Sequence, residues 1–448
     1  MKKSIEFRKI STPEHVKYAA DLDPLQPYDP RYIPLGDVRE DNIPGDLYRA
    51  LKAAVGHPRG KPAHLCYAGH RGNGKTTELF MVMEKLKKEA SFHFVYQAAD
   101  ADLATSDLDY PDLMLYLAKM ALEGMPEDVK LNETLLKPIE QWFADRVAIN
   151  QDYKNSQMEV KSTASGGFTI PGLLKLLAGL TSSIKGGHKS VIETRHVLRQ
   201  QVSGLINRMN ELFRILRESL KEAGKPHELT LVVDNLDRLP PEVMENSFNK
   251  WASLFDQLKV HLIMTVPLPL IYYPEGTKLS EMGFRPLILS MPKIRSREQS
   301  WDAFWEEGVN KLMDVIKARV NEEKVFYGDE KERHECIRRI ILVSGGSLRD
   351  IMHILTYAGE EAWDEPITRT HVETAIHKVR NELMSNLNSD DIKILVNIHK
   401  NKRADRTAEV GRQLHYRWAL EYNGEKWADI HPLVYESTLY QEAAGIEQ

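Results

Sequence analysis

Cysteine is almost absent. The 448 residues contain two, Cys66 and Cys336, far apart and outside any CxxC pattern. That spacing excludes a disulfide framework and a thiolate zinc site. It suits a reducing cytoplasm, where each thiol reads as a small buried apolar side chain. The 16 histidines are scattered, with no HExxH or paired metal spacing, so no metal-hydrolase constellation is written in the chain. Charge of one sign is also lacking. A net charge of −5 is no global footprint of a nucleic-acid binder, and any basic patch has to be local. Long apolar runs are missing as well. The opening MKKSIEFRKI is basic but is followed by no apolar h-region, so it does not read as a signal peptide. The most apolar stretch, Gly166 to Ile184, is interrupted by Pro171, Gly172, Lys175 and Gly179. Its continuous part falls short of the ~20 residues a spanning helix needs. With 42 % apolar and 28 % charged residues, the expectation is a soluble, cytoplasmic protein able to build about three ordinary domains.

What is present is a phosphate-binding loop. Gly69-His70-Arg71-Gly72-Asn73-Gly74-Lys75-Thr76 matches GxxxxGKT in full, between an apolar run (His64 to Ala68) and a helix-periodic segment (Thr77 to Glu89). Strand, glycine loop and helix in that order are the context the motif requires. The glycines let the backbone wrap an anion without Cβ clashes, and the loop amides and helix N-terminus present donors to it. Gly69, Arg71, Gly72, Asn73, Gly74, Lys75, Thr76 and Thr77 are therefore expected to hold the phosphates of ATP, or of GTP. Lys75 would bridge the β- and γ-phosphates, and Thr76 would ligate Mg2+.

A second acidic partner is expected at Asp234, which ends the apolar, β-branched run Leu229 to Val233 in LTLVVDNLDRL. A continuous apolar strand of this kind is buried on both faces of a parallel sheet, and ligands bind beyond the carboxyl ends of such strands. Asp234 is assigned to Mg2+, with Thr76. The next residue is Asn235, which cannot accept a proton and so is no general base. Asp237 is the candidate for that role, and slow hydrolysis is expected. Further strands are read at Phe92–Gln97, Val260–Val266 and Pro286–Ser290. Thr265, at the end of the fourth strand, reads either as a γ-phosphate sensor or as a solvated strand end. Arg285, Arg295 and Arg297 are rival candidates for an arginine reaching a neighbouring subunit. Arg349, in SGGSLRD, would reach the γ-phosphate from a helical region downstream.

The order GHRGNGKTTEL, LVVDNLDRL, KARV (317–320), SGGSLRDIMHIL and ITRTHVETAI resembles the AAA+/STAND group of P-loop ATPases. The resemblance is nearest to the branch whose lid is like that of archaeal origin-recognition initiators, and it covers roughly residues 30–440. It implies an α/β fold: a five-stranded parallel P-loop NTPase sheet, a helical lid and a C-terminal winged helix. Arg349 would be the second sensor, and the protein would be a homo-oligomer. Asn235 departs from the pattern. The expected division is a lead segment (1–35), a P-loop domain (36–292) with a helical insertion (about 103–225), a lid (293–383) and a winged helix (384–448). The insertion lies within a connection of roughly 130 residues, far beyond an ordinary one. Its 166–187 stretch reads as a lid or subunit contact, a loop ordered by a partner, or a membrane-inserting segment.

Residues 393–417 hold seven Lys/Arg against two acids. Lys400, Lys402, Arg403, Arg406, Arg412 and Arg417 are candidate duplex-DNA contacts; a protein-binding face and a solvated basic face are the alternatives. Three functions follow. One is an ATP-dependent switch that self-assembles or recruits a protein effector, a role the resemblance links to bacterial antiviral defence. Another is a DNA-binding initiator or loader, and the third is a nucleotide-stabilised scaffold without turnover.

Overall fold

The computed structural model describes residues 7–39, 41–56, 61–89, 92–99, 103, 107–146, 172–185, 190–272, 279–297, 300–422 and 427–445. Five parallel strands form the central sheet: β1 (His64–Gly69), β2 (Phe92–Ala98), β3 (Glu228–Asp234), β4 (His261–Val266) and β5 (Arg285–Leu289). All five coincide with the apolar runs read from the sequence, each to within about two residues. Their lateral order is β2-β3-β4-β1-β5, so β1 lies inside the sheet between β4 and β5. Alternate residues of each inner strand enter opposite cores, as the two-residue period requires. Leu65 and Tyr67 of β1 join Val232 and Ile263 on the face covered by α1 (Ile43–Gly56) and α2 (Lys75–Glu89). Cys66 and Ala68 join Leu231, Val233, Leu262 and Met264 on the other face. The leucine, valine, isoleucine and methionine side chains among them contribute about 1.5–3 kcal/mol each when fully buried. Both cysteines are free and buried, as expected.

Among the described residues, the connection from β2 to β3 carries five helices: α3 (Tyr110–Glu123), α4 (Glu133–Arg146), α5 (Gly172–Lys185), α6 (Ser190–Gln200) and α7 (Val202–Glu222). They share the sheet's second core rather than forming a separate body. The helix α3 starts with a capping box between Asp109 and Asp112. Arg195 of α6 then clamps it, reaching Asp112 at 2.6 Å and Asp107 at 2.7 Å. The apolar stripe of α5 (Leu173, Leu176, Leu177, Leu180 and Ile184) is buried, against α3 and α4. That is a use none of the three sequence readings of 166–187 had named; residues 166–171 and 186–187 lie outside the described residues. No helix among the described residues is long and apolar enough to cross a membrane.

A helical lid follows β5: α9 (Glu306–Lys317), α10 (Glu330–Ser344), α11 (Leu348–Ala362) and α12 (Arg369–Met384), the last two starting at Ser347 and Thr368 caps. A short helix, α8 (Leu268–Tyr272), precedes β5. The N-terminal segment belongs to the lid's core, which sequence alone did not indicate. Its 3-10 turn Pro13–Tyr18 packs on α11 with Val16 fully buried, and Ile10 bridges Val320.

The C-terminal elements are α13 (Ser389–Asn401), α14 (Ala408–His415), an antiparallel hairpin of β6 (Ala419–Glu421) and β7 (Ala428–Ile430), then α15 (Pro432–Tyr435) and α16 (Thr438–Ala444). This is a winged-helix arrangement. The Asn423-Gly424 turn expected at the hairpin tip lies outside the described residues. The helix α14 ends earlier than the sequence pattern suggested, because Arg417 adopts a left-handed backbone (φ 61°) that turns the chain into β6. The module does not stand free: α14 packs against α8 of the sheet domain.

Candidate functional site

The P-loop joins β1 to α2, with Gly72 and Gly74 at φ 77° and 85°, a region closed to most side chains. Gly72 is needed twice over, since a Cβ there would meet Arg349 Cβ at 2.5 Å. Lys75 Nζ lies 2.9 Å from the carbonyls of Gly69 and His70 and 2.7 Å from an Asp237 carboxylate oxygen. Its cation is thus matched by the very acid the sequence nominated as a base. The Thr76 hydroxyl donates to Asp234 Oδ2 at 2.7 Å, and the Tyr96 hydroxyl donates to the same oxygen at 2.8 Å. β3 and the start of α2 thereby bring the two expected magnesium ligands side by side. Among the described residues no group of three His, Cys, Asp or Glu side chains makes a metal cage. That is compatible with Mg2+, which takes most of its ligands from phosphate and water.

The loop is anchored from behind by residues the motif does not reveal. The Asn73 side chain turns away from the cavity, with Nδ2 donating to the carbonyls of Leu289 (2.8 Å) and Ser290 (2.9 Å) at the end of β5. Arg39, 5 % exposed, donates to both the side-chain and main-chain oxygens of Asn73 at 3.0 and 2.9 Å, and also to the Ser290 carbonyl. Asn73, expected among the phosphate-binding residues, is therefore engaged in holding the loop's shape. The Thr77 hydroxyl accepts from the Leu25 amide at 3.1 Å, tying α2 to the N-terminal segment.

Around the loop lies a cavity of about 360 Å3, lined by Arg71, Gly72, Gly74, Lys75, Thr76 and Thr77, by Asn235, Asp237 and Arg238 after β3, by Arg349 of the lid, and by the segment Asp21–Leu25. Sheet domain, lid and N-terminal segment all contribute walls. Asn235 takes a left-handed backbone (φ 63°) that points the chain toward Asp237. Arg349 sits among cations: burial pushes its pKa down first, and the charges of Arg417, Arg71 and Arg238 push the same way, with Asp350 opposing. Its Nε is buried without a hydrogen-bond partner among the described residues. Clustered arginines with unsatisfied donors are what a polyanion would satisfy.

The same structure ties this site to the C-terminal module. His70 of the P-loop accepts, through Nε2, the Glu421 amide of β6 at 2.8 Å. Burial, helped by Arg417, Lys75 and His431, holds the His70 imidazole neutral with its pKa at about 3. Asp350, next to Arg349, is fully buried. Both its oxygens lie 2.7 Å from Arg417 Nη1, and one lies 3.1 Å from His431 Nε2. Although burial opposes ionisation, the charge of Arg417 and the bond from His431 hold the Asp350 carboxyl far below the usual range. The Tyr422 hydroxyl donates to the Gly345 carbonyl at 2.8 Å, and the Met291 amide to the Glu421 carbonyl at 3.0 Å. His70, Asp350 and Arg39 were not identified from sequence. His70 hides inside the variable positions of the motif, and the other two have no local signature.

Other expected residues fall elsewhere. Thr265 is fully buried, its hydroxyl unpaired among the described residues. It does not line the cavity and is no solvated strand end. Arg285 begins β5 beside Leu65, at the opposite end of the sheet from the P-loop, half-exposed and 3.7 Å from Asp46. Arg295 is stacked on Trp301 at 3.6 Å and on Phe304 at 4.8 Å, which occupies its planar face; Arg297 is half-buried. Of the candidate DNA contacts, Lys400, Arg403 and Arg406 are exposed. Lys402 pairs with Asp429 at 2.5 Å, Arg412 with Asp391 at 3.3 Å, and Arg417 is committed to Asp350.

No protein-family model matches this chain, and no curated protein does. Among solved structures, it is similar to the Aeropyrum pernix Orc1 protein in complex with DNA (15 % identity, 89 % of this chain and 80 % of that one, TM-score 0.37). It is also similar to Cdc6p from Pyrobaculum aerophilum (11 % identity, 93 % of this chain and 97 % of that one, TM-score 0.37). At that level the likeness carries no argument about function, which rests on the site itself.

Proposed function

We propose that this protein is a magnesium- and ATP-dependent switch. Nucleotide held between the P-loop and the lid changes how the C-terminal module is docked, and so controls self-assembly or the recruitment of a protein effector. The observation that carries the reading is the convergence of three contacts on one loop and one helix start. Arg349 lies against Gly72, His70 is bonded to the Glu421 amide, and Asp350, next in sequence to Arg349, is clamped by Arg417 and His431. A ligand that alters the P-loop or draws Arg349 toward itself therefore acts on the C-terminal hairpin through one or two residues. Both sites then bias a two-state element, which is the physical content of a switch.

In this reading Gly69, Gly72, Gly74 and Lys75 hold the phosphates, with Arg71 and Arg349 supplying charge. Thr76 and Asp234 hold Mg2+, which when bound neutralises phosphate charge. Lys75 gives up its Asp237 partner as it turns to the phosphates, and the freed Asp237 carboxylate is the group able to accept a proton from water. The test is mass photometry of the full chain with a slowly hydrolysed ATP analogue and Mg2+. The wild type gains mass and Lys75→Ala does not. An unchanged mass together with unchanged hydrogen exchange in the C-terminal module would sink the reading.

A second reading, a DNA-binding loader, is favoured only by the exposed Lys400, Arg403 and Arg406. With α14 packed on α8, that helix is not free to enter a groove as the module stands. Duplex DNA at low salt should bind through phosphate contacts and weaken steeply with salt. Charge reversal at Arg403 and Arg406 should abolish that binding, and no binding at low salt eliminates the reading.

A further inference from the structure

The N-terminal segment and the lid supply part of the cavity wall, with apolar side chains from Pro24, Leu25, Ile33, Leu35, Val315 and Met352. Charged side chains interrupt them: Asp21, Asp23, Arg31, Arg39, Glu78 and Arg319. Arg319, 8 % exposed, donates through Nη1 to the carbonyls of Arg31 (3.1 Å) and Val315 (2.9 Å). Its Nε is buried with no hydrogen-bond partner among the described residues. Asp21 pairs its Oδ2 with Arg31 Nη1 at 3.2 Å, while its Oδ1 is buried with no hydrogen-bond partner among the described residues. Both residues line the cavity, and they are close enough for Asp21 to favour the Arg319 cation electrostatically. A buried donor and a buried acceptor left open in one place are unfavourable unless something fills them. Arg39 Nε on the same wall is also buried without a partner among the described residues, but Arg319 and Asp21 offer openings of opposite sense.

A flat ring with a hydrogen-bond acceptor beside a donor on its edge matches all three features. Adenine offers a ring nitrogen beside its amino group; guanine offers O6 beside a ring N–H. We propose that Arg319 and Asp21 read the base of the nucleotide whose phosphates lie at the P-loop. Arg319 Nε donates to the ring-edge acceptor and Asp21 Oδ1 accepts from the adjacent N–H. The two residues are thus the determinants of purine choice. Tyr32 and Glu78, bonded to each other at 3.1 Å, line the same cavity but already satisfy one another. The proposal rests on the P-loop being the phosphate site, so the experiment separates the two.

Calorimetric titration of the full chain uses ADP, GDP and inorganic tripolyphosphate as probes. The wild type prefers one purine diphosphate by at least about tenfold, because a base with the wrong edge leaves a buried partner open. Arg319→Met and Asp21→Asn each weaken the preferred nucleotide roughly ten- to a hundredfold and leave tripolyphosphate affinity unchanged. A purine nucleoside diphosphate lacking the 6-substituent binds the wild type as weakly as the preferred nucleotide binds Asp21→Asn when that nucleotide is ADP, or Arg319→Met when it is GDP. Equal affinity of the wild type for ADP and GDP overturns the proposal. So does a parallel loss of tripolyphosphate binding in both variants, which marks the pair as structural. If Lys75→Ala binds all three probes like the wild type, the P-loop reading itself fails. Should Arg319→Met not fold, Asp21→Asn alone decides.

Discussion

Replacing Asp350 by Asn keeps the shape of the side chain and removes its charge. In the intact protein Asp350 has no solvent exposure, and its carboxylate faces Arg417 Nη1 at 2.7 Å, with the Arg417 side chain only 15 % exposed. Removing one partner of a buried pair costs about 3–5 kcal/mol, because the other charge is left uncompensated. The low end applies here, since an amide oxygen can still accept from Arg417 and Arg417 keeps some access to water. Arg417 also holds a left-handed backbone (φ 61°), worth of order 1 kcal/mol of strain that this contact helps to maintain. A loss of about 3 kcal/mol corresponds to roughly a hundredfold faster opening of the C-terminal module. Hydrogen–deuterium exchange across residues 384–422, compared with exchange in the sheet, reads that opening directly. A second readout carries the opposite sign: Asp350 is the anion beside Arg349, so its neutralisation strengthens tripolyphosphate binding while it loosens the module. The double variant Asp350→Asn/Arg417→Met should recover much of the lost protection, because no buried charge is then left alone. If the single variant exchanges no faster than the wild type, or if the two substitutions simply add, the clamp is not what docks the module.

Two further outcomes follow from the same geometry. His70 has its pKa held at about 3 by burial, below the usual ~6.5. The unfolded chain therefore binds the proton first as pH falls, and stability is fully present above pH ~6.5 and lost progressively below it, by of order 1 kcal/mol at pH 5.5. His70→Gln, which keeps an acceptor for the Glu421 amide, should flatten the fall in Tm between pH 7 and 5.5; an unchanged slope refutes the assignment. Asp237→Ala removes both the Lys75 counter-ion and the candidate base. It should tighten ATP binding several-fold while lowering turnover at least tenfold, and turnover equal to wild type shows that Asp237 is no base.

How the fold was legible depended on how local its signals were. Five strands could be placed because each is an unbroken apolar run, and burial on both faces of a parallel sheet leaves no room for polar alternation. The P-loop was legible because its geometry demands glycine at fixed offsets. Lys75, Thr76 and Asp234 follow from the motif and a strand end, and the structure brings them together beside Asp237. Sequence could not show that β1 lies between β4 and β5, since lateral order is set by long-range pairing. Nor could it show that the apolar stripe of α5 is covered by α3 and α4: a helix displays an apolar face without saying what meets it. The partners that make the site more than a phosphate loop are separated from it by tens to hundreds of residues. Arg39 behind Asn73, His70 under Glu421, and Asp350 between Arg417 and His431 are each an ordinary polar residue in its own neighbourhood. What the chain determined by itself was the chemistry able to hold an anion. Which residues hold that loop, and which part of the molecule touches it, was decided only when burial removed water from those side chains and left them partners distant in sequence.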